Sequence, residues 1–142
     1  MTQIDFYTHV EDKEKTACRL AAKAFAQDIR VTVLCPDGGV AERLDRMLWT
    51  LSATGFVPHC LARDPLSAVT PVVVDDEGVE PDHDQLLLNL RPQWPPFFSR
   101  FQRLIEIESL DDDDRRLARE RYRFYRDRGY EIRSHDLSRS AE

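Results

Sequence analysis

Apolar positions along the chain change period from stretch to stretch, and the changes divide it into alternating strands and helices. IDFYTH (4–9) alternates, and RVTVLC (30–35) is a β-branched run closed by a Pro36-Asp37-Gly38-Gly39 turn. Between them Ala17, Cys18, Ala21, Ala24 and Phe25 recur at the spacing of one buried helical face. Strand, helix and strand in this order predict a βαβ unit with a right-handed crossover. A second helix, over about 40–51, places Ala41, Leu44, Met47, Leu48 and Leu51 on one arc, and Trp49 falls off that arc, at the helix edge or exposed.

Residues 52–62 (SATGFVPHCLA) read as a loop carrying Phe56, Val57 and Pro58. PVVVDD (71–76) and LLLNL (86–90) read as buried strands, the latter apolar on nearly every position as a strand covered on both faces would be. In RPQWPPFFSRF (91–101) the two prolines suit a first helical turn, and Phe97, Phe101 and Leu104 keep helical spacing, so a helix is expected. LIEIES (104–109) alternates into a strand, DDDD (111–114) precedes an arginine-rich helix, Gly129 suits the residue after it, and YEIRS (130–134) supplies a last strand. These elements predict a single α/β domain over 1–136 on a mostly parallel sheet, with 137–142 a polar tail.

On a wheel turning about 100° per residue, Arg119, Tyr122 and Arg126 lie within about 40° of Arg115, so three guanidinium groups and a phenol share one stripe. Leu117 and Phe124 lie opposite, with Ala118 and Tyr125 on a flank, and these four supply the contacts with the sheet. Arg121 and Arg128 fall between the two pairs and must snorkel or pair with an acid. The pattern is open to a solvated charged face. Against that, the chain has only three lysines, and its arginines here alternate with aromatics. Guanidinium forks take carboxylates and aromatic walls take an apolar side chain, which matches an acidic peptide ending in an aromatic residue and a free carboxylate.

Composition narrows the function. The chain has 142 residues, 42% hydrophobic and 32% charged, with a formal charge of -6, which disfavours a main surface for duplex DNA. No apolar run approaches a membrane span, and a cytoplasmic protein is expected. Cys18, Cys35 and Cys60 form no CxxC, and His9, His83 and His135 have no ligand spacing, so neither disulfide framework nor metal site is signalled. His59 beside Cys60 reads as structural, and Asp75, Asp76 and Glu77 as a strand end in solvent. Five glycines make neither GxGxxG nor GxxxxGK[ST], so no cofactor is expected, and a small nucleotide-binding enzyme lacks its phosphate cradle. Direct binding of single-stranded nucleic acid stays open, because arginine interleaved with tyrosine also suits stacked bases.

Several blocks together resemble the chi subunit family of bacterial DNA polymerase III: FY at 6–7, LDRMLW (44–49), FVPH (56–59), LA (61–62), LLLNLR (86–91) and LARERYRFYRDRGYEI (117–132). The resemblance implies a non-catalytic clamp-loader accessory protein. Its fold would be doubly wound and Rossmann-like without a phosphate-binding loop. It implies one site for the acidic, Pro-Phe-ended tail of single-stranded-DNA-binding protein, carried by Arg119 and Tyr122 with Arg115 at a basic position; Arg126 is added by the wheel. It implies a second site for the psi subunit around Trp49, Phe56, Val57 and Pro58, a surface that in some members serves a repair helicase. DNA would be reached only indirectly. Glu108 and DDDD depart from the pattern, since negative charge beside the tail site would oppose an acidic tail at a strength set by where those side chains point.

Overall fold

The apolar runs sort onto two faces of one sheet. The computed structural model describes residues 1–51 and 56–139. Along the chain come β1 (Gln3–Val10), α1 (Lys13–Ala26), β2 (Val31–Leu34), α2 (Gly38–Thr50), β3 (His59–Leu61), β4 (Val72–Asp75), β5 (Leu86–Asn89), β6 (Arg103–Ser109), α3 (Asp112–Asp127) and β7 (Ile132–Asp136). The seven strands form one sheet in the order β3-β4-β2-β5-β6-β1-β7, and each neighbouring pair is parallel. The first βαβ unit therefore joins strands that do not pair, with β5 and β6 lying between β1 and β2.

Alternation along each strand decides which helix it meets. Leu86 and Leu88 of β5 join Val31 and Val33 of β2 and Ile105 and Ile107 of β6 against Ala17, Ala21, Leu44 and Leu48 of α1 and α2. Leu87, Leu34, Leu104, Ile4 and Phe6 face the other way, onto Ala118 and Tyr125 of α3 and onto Phe98 and Phe101. Helices thus cover both faces, the doubly wound α/β arrangement.

Two local expectations fail. Residues 91–101 form no α-helix; only Phe98–Arg100 make a 3-10 turn. The carbonyls a helix would use are taken from outside: Asn89 Nδ2 binds Gln93 O at 3.0 Å, and the Thr2 hydroxyl binds Phe101 O at 2.6 Å. Leu104 then belongs to β6, paired with Ile4. The stretch 52–62, read as a loop, contains β3, whose His59, Cys60 and Leu61 pair with Val72, Val73 and Val74; residues 52–55 of that loop lie outside the described residues. At the C-terminus Leu137 packs against the α1-side core, and 140–142 of the expected tail lie outside the described residues.

The sheet face over β2 and β4 is crossed by the β4–β5 connection. His83 anchors it: Nδ1 accepts from the Gln85 N–H at 3.2 Å, so Nε2 carries the proton it donates to the Thr32 hydroxyl at 2.8 Å. Desolvation, followed by the nearby Arg30 charge, pushes His83 down to about 4. A histidine held neutral in this way contributes stability that is complete above its unfolded value of about 6.5 and is lost as pH falls toward the folded value. Urea unfolding of the wild type should therefore lose stability between about pH 6.5 and pH 4, and His83→Gln should flatten that slope. Parallel profiles for the two proteins would contradict it.

Candidate binding surfaces on two faces of the sheet

Two of the four aspartates that open α3, Asp111 and Asp114, are turned to structural use. Asp111 is the N-cap, its carboxylate accepting from the Asp114 N–H at 3.0 Å. Asp114 accepts from the Ser109 N–H at 2.8 Å and from Lys13 Nζ at 2.7 Å, tying the start of α3 to that of α1. Desolvation would raise the Asp114 carboxyl, but these bonds outweigh it and hold it below the usual carboxylate value. Glu108 points at Arg115, 3.5 Å away, while Asp113 is in solvent beside Arg116 at 3.9 Å.

The centre of the sheet-facing side of α3 is Ala118, Arg121 and Tyr125, with Leu117 and Phe124 only half buried on one flank. An arginine sits in that centre because β6 supplies its counter-ion. Glu106 is 0% exposed, and its Oε1 accepts from Arg121 Nε at 2.9 Å. Its Oε2 accepts from the Tyr125 hydroxyl at 2.6 Å and from Asn89 Nδ2 at 3.0 Å. Arg121 Nη1 donates to Pro92 O at 2.9 Å, and Nη2 has no partner among the described residues. Burial, followed by the Glu106 charge, pushes the Tyr125 phenol far up, so it remains a donor.

With Arg121 facing inward, the stripe of Arg115, Arg119, Tyr122 and Arg126 lies along one outer flank of α3. Arg119 is exposed and makes no hydrogen bond or ion pair among the described residues. Tyr122 is half buried, its ring edge-on to Phe6 at 5.3 Å. Arg115 is shared with Glu108, and Arg126 reaches Asp127 at 3.2 Å in solvent. Arg123, one turn beyond Arg119, is likewise exposed without a partner among the described residues and widens the stripe. The wheel puts it about 80° from Arg115, outside the arc first considered. Arg128 lies 3.6 Å from the centroid of Phe124, whose ring stacks on Trp94 at 3.7 Å, so this arginine is held by an aromatic pair.

The second surface lies where α2 meets the β3 edge. Trp49 is 59% exposed and Phe56 55% exposed, and their ring centroids are 5.2 Å apart. Val57 turns inward, 7% exposed, and joins the core under α2, while Pro58 is half buried. The His59 ring is edge-on to Trp49 at 4.9 Å.

Elsewhere the picture of Asp75 changes. It is 1% exposed, because β4 continues to it beside β2 and its Oδ1 caps the Glu77 N–H at 3.0 Å. Among the described residues each α-helix N-terminus, the natural anion site of an α/β fold, holds the chain's own carboxylate: Asp12, Asp37 and Asp111. Among the described residues no group of three His, Cys, Asp or Glu is placed to hold a metal ion, and no helix is long and apolar enough to cross a membrane.

Removing the arginine while leaving its acid buried should be costly. Arg121→Ala is expected to lower stability by about 3–5 kcal/mol, measured by chemical denaturation. A loss under 1 kcal/mol would mean that Glu106 finds another partner.

Residues 1–133 match the sequence model of a family described as "DNA polymerase III chi subunit, HolC". The chain is 35% identical to a Pseudomonas aeruginosa protein named DNA polymerase III subunit chi, over 98% of this chain and 99% of that one. It is 32% identical to the Escherichia coli protein of that name, over 84% of this chain and 82% of the other. The Haemophilus influenzae protein is 30% identical over 87% of each.

Proposed function

The chain belongs to the DNA polymerase III chi subunit family, an accessory role in DNA replication, and on that premise we propose that it is a connector with one protein ligand on each face of its sheet. The observation that carries this reading is the separation of the two surfaces. The aromatic pair sits on α2 beside the β3 edge, on the α1–α2 side, whereas the arginine stripe runs along α3, on the opposite face. Two ligands so placed can bind at once without contact.

On the α3 face the ligand is the acidic, Pro-Phe-ended tail of single-stranded-DNA-binding protein. Arg119, without an internal partner among the described residues, supplies a guanidinium fork for a carboxylate, with Arg115 and Arg126 adding positive charge and Tyr122 an aromatic wall. The geometry of the acidic run favours this. Asp111 and Asp114 are directed at backbone N–H groups and Lys13, so less unpaired negative charge opposes the tail than the sequence suggests.

On the α2 face the ligand is the psi subunit, or in its place a repair helicase. Exposed aromatics in contact form the kind of centre that protein interfaces use, and Val57 and Pro58 hold the loop that carries Phe56. A nucleotide-binding role is disfavoured by the aspartates that cap α1, α2 and α3.

Arg119→Ala or Tyr122→Ala should weaken a peptide copy of the tail by at least about 1 kcal/mol in calorimetry, and wild-type affinity should fall as salt rises. Unchanged affinity in both variants, or tight binding of an oligonucleotide without any of the peptide, would reject the assignment. Trp49→Ala with Phe56→Ala should lose psi in co-purification while retaining the tail. Psi recovered at wild-type yield would remove that surface from the interface.

A further inference from the structure

His59 is the polar group at the centre of the aromatic surface, and its bonding is unusual for a histidine. Its side chain is 0% exposed. Nδ1 lies 2.6 Å from the carbonyl oxygen of Val57 and Nε2 lies 3.1 Å from the carbonyl oxygen of Asp45. A backbone carbonyl accepts an N–H, so the ring is placed to bond the main chain on both sides of the aromatic pair. The Asp45 carboxylate also lies 3.5 Å from Nε2.

The two bonds join different elements. Asp45 is on α2, one turn before Trp49, and Val57 immediately follows Phe56. The ring between them is edge-on to Trp49 at 4.9 Å and tilted against Phe56 at 6.2 Å. One imidazole therefore sets the distance between the helix that carries one exposed aromatic and the segment that carries the other.

We propose that His59 is the positioning residue of this surface. Its ring, bridging the two carbonyls, holds Trp49 and Phe56 as a preformed pair, so that a protein partner need not order them on binding. The proposal rests on the reading of this surface as the psi site, and it makes psi binding depend on a residue enclosed beneath the aromatic pair.

The test uses the intact chain and purified psi. His59→Phe keeps an aromatic ring without its N–H groups; it should reduce psi affinity by about tenfold with the tail peptide bound as in the wild type. In NMR of the free chain the Trp49 indole N–H signal should move in His59→Phe, reporting a pair no longer held. Trp49→Ala is the reference. If Trp49→Ala loses psi but His59→Phe does not, or if the Trp49 indole signal is unmoved in His59→Phe, the positioning role is overturned and the surface stands. If Trp49→Ala binds psi normally, the surface reading falls and the positioning role with it. Should His59→Phe not fold, His59→Leu takes its place, and psi affinity equal to the wild type's overturns the proposal.

Discussion

The placement of α3 depends on one buried ion pair. Glu106 occupies the middle of a parallel strand, faces a helix rather than water, and is fully enclosed. An isolated carboxylate there would be expensive, and it is tolerated because three donors from two parts of the chain converge on it: Arg121 and Tyr125 on α3 and Asn89 at the end of β5. Because Arg121 and Tyr125 are fixed four residues apart on one helix, meeting both oxygens sets the rotation and height of α3. The angular offset between Arg121 and Arg119 is then set by helix geometry, and the exposed stripe has a defined direction. Hydrophobic contact alone, through Ala118 and Tyr125, would constrain that rotation less.

The same network reaches the segment after β5. Asn89 Nδ2 also binds Gln93 O, and Arg121 Nη1 holds Pro92 O, so residues 92–94 are drawn over the end of the sheet toward α3. Trp94 is thereby delivered to Phe124, and Arg128 closes on the other face of that ring. Of the two arginines that fell between apolar pairs on the wheel, one found a buried acid and the other an aromatic face. At this junction polar satisfaction sets the course of the chain and apolar packing fills what remains.

How far the fold could be read from the residues follows from the same physics. Strands buried on both faces announce themselves as continuous apolar runs, so β4 and β5 were legible, as were α1 and α2 with their single arcs and the displaced Trp49. Where a side chain from elsewhere takes a carbonyl, local pattern misleads. Phe97, Phe101 and Leu104 keep helical spacing, yet Thr2 and Asn89 hold the backbone in turns. Three-residue β3 is too short to show a period and exists because β4 offers it an edge. On α3 the wheel set Arg121 between the apolar pairs, to snorkel or to meet an acid; which acid was not named, and Glu106, between Ile105 and Ile107 of β6, was the available signal. The stripe was legible as composition, but that Arg115 is shared with Glu108 while Arg119 has no partner among the described residues is a matter of geometry.

That last distinction resolves an apparent conflict of charge. The chain carries a formal charge of -6, yet its proposed α3 ligand is acidic. Net charge acts over distances that ordinary salt screens within about 8–10 Å, so what an approaching carboxylate meets is set by the side chains within that range. Asp111 and Asp114 direct their oxygens at N–H groups and at Lys13 Nζ, and Glu108 directs its own at Arg115. Arg119 and Arg123 have no such partner among the described residues and project from the exposed flank. Asp111, Asp114 and Glu108 drawn into a cap and pairs, beside arginines without partners among the described residues, give an acidic protein a flank of α3 more basic than its net charge, although Asp112 and Asp113 stay exposed in the first turn.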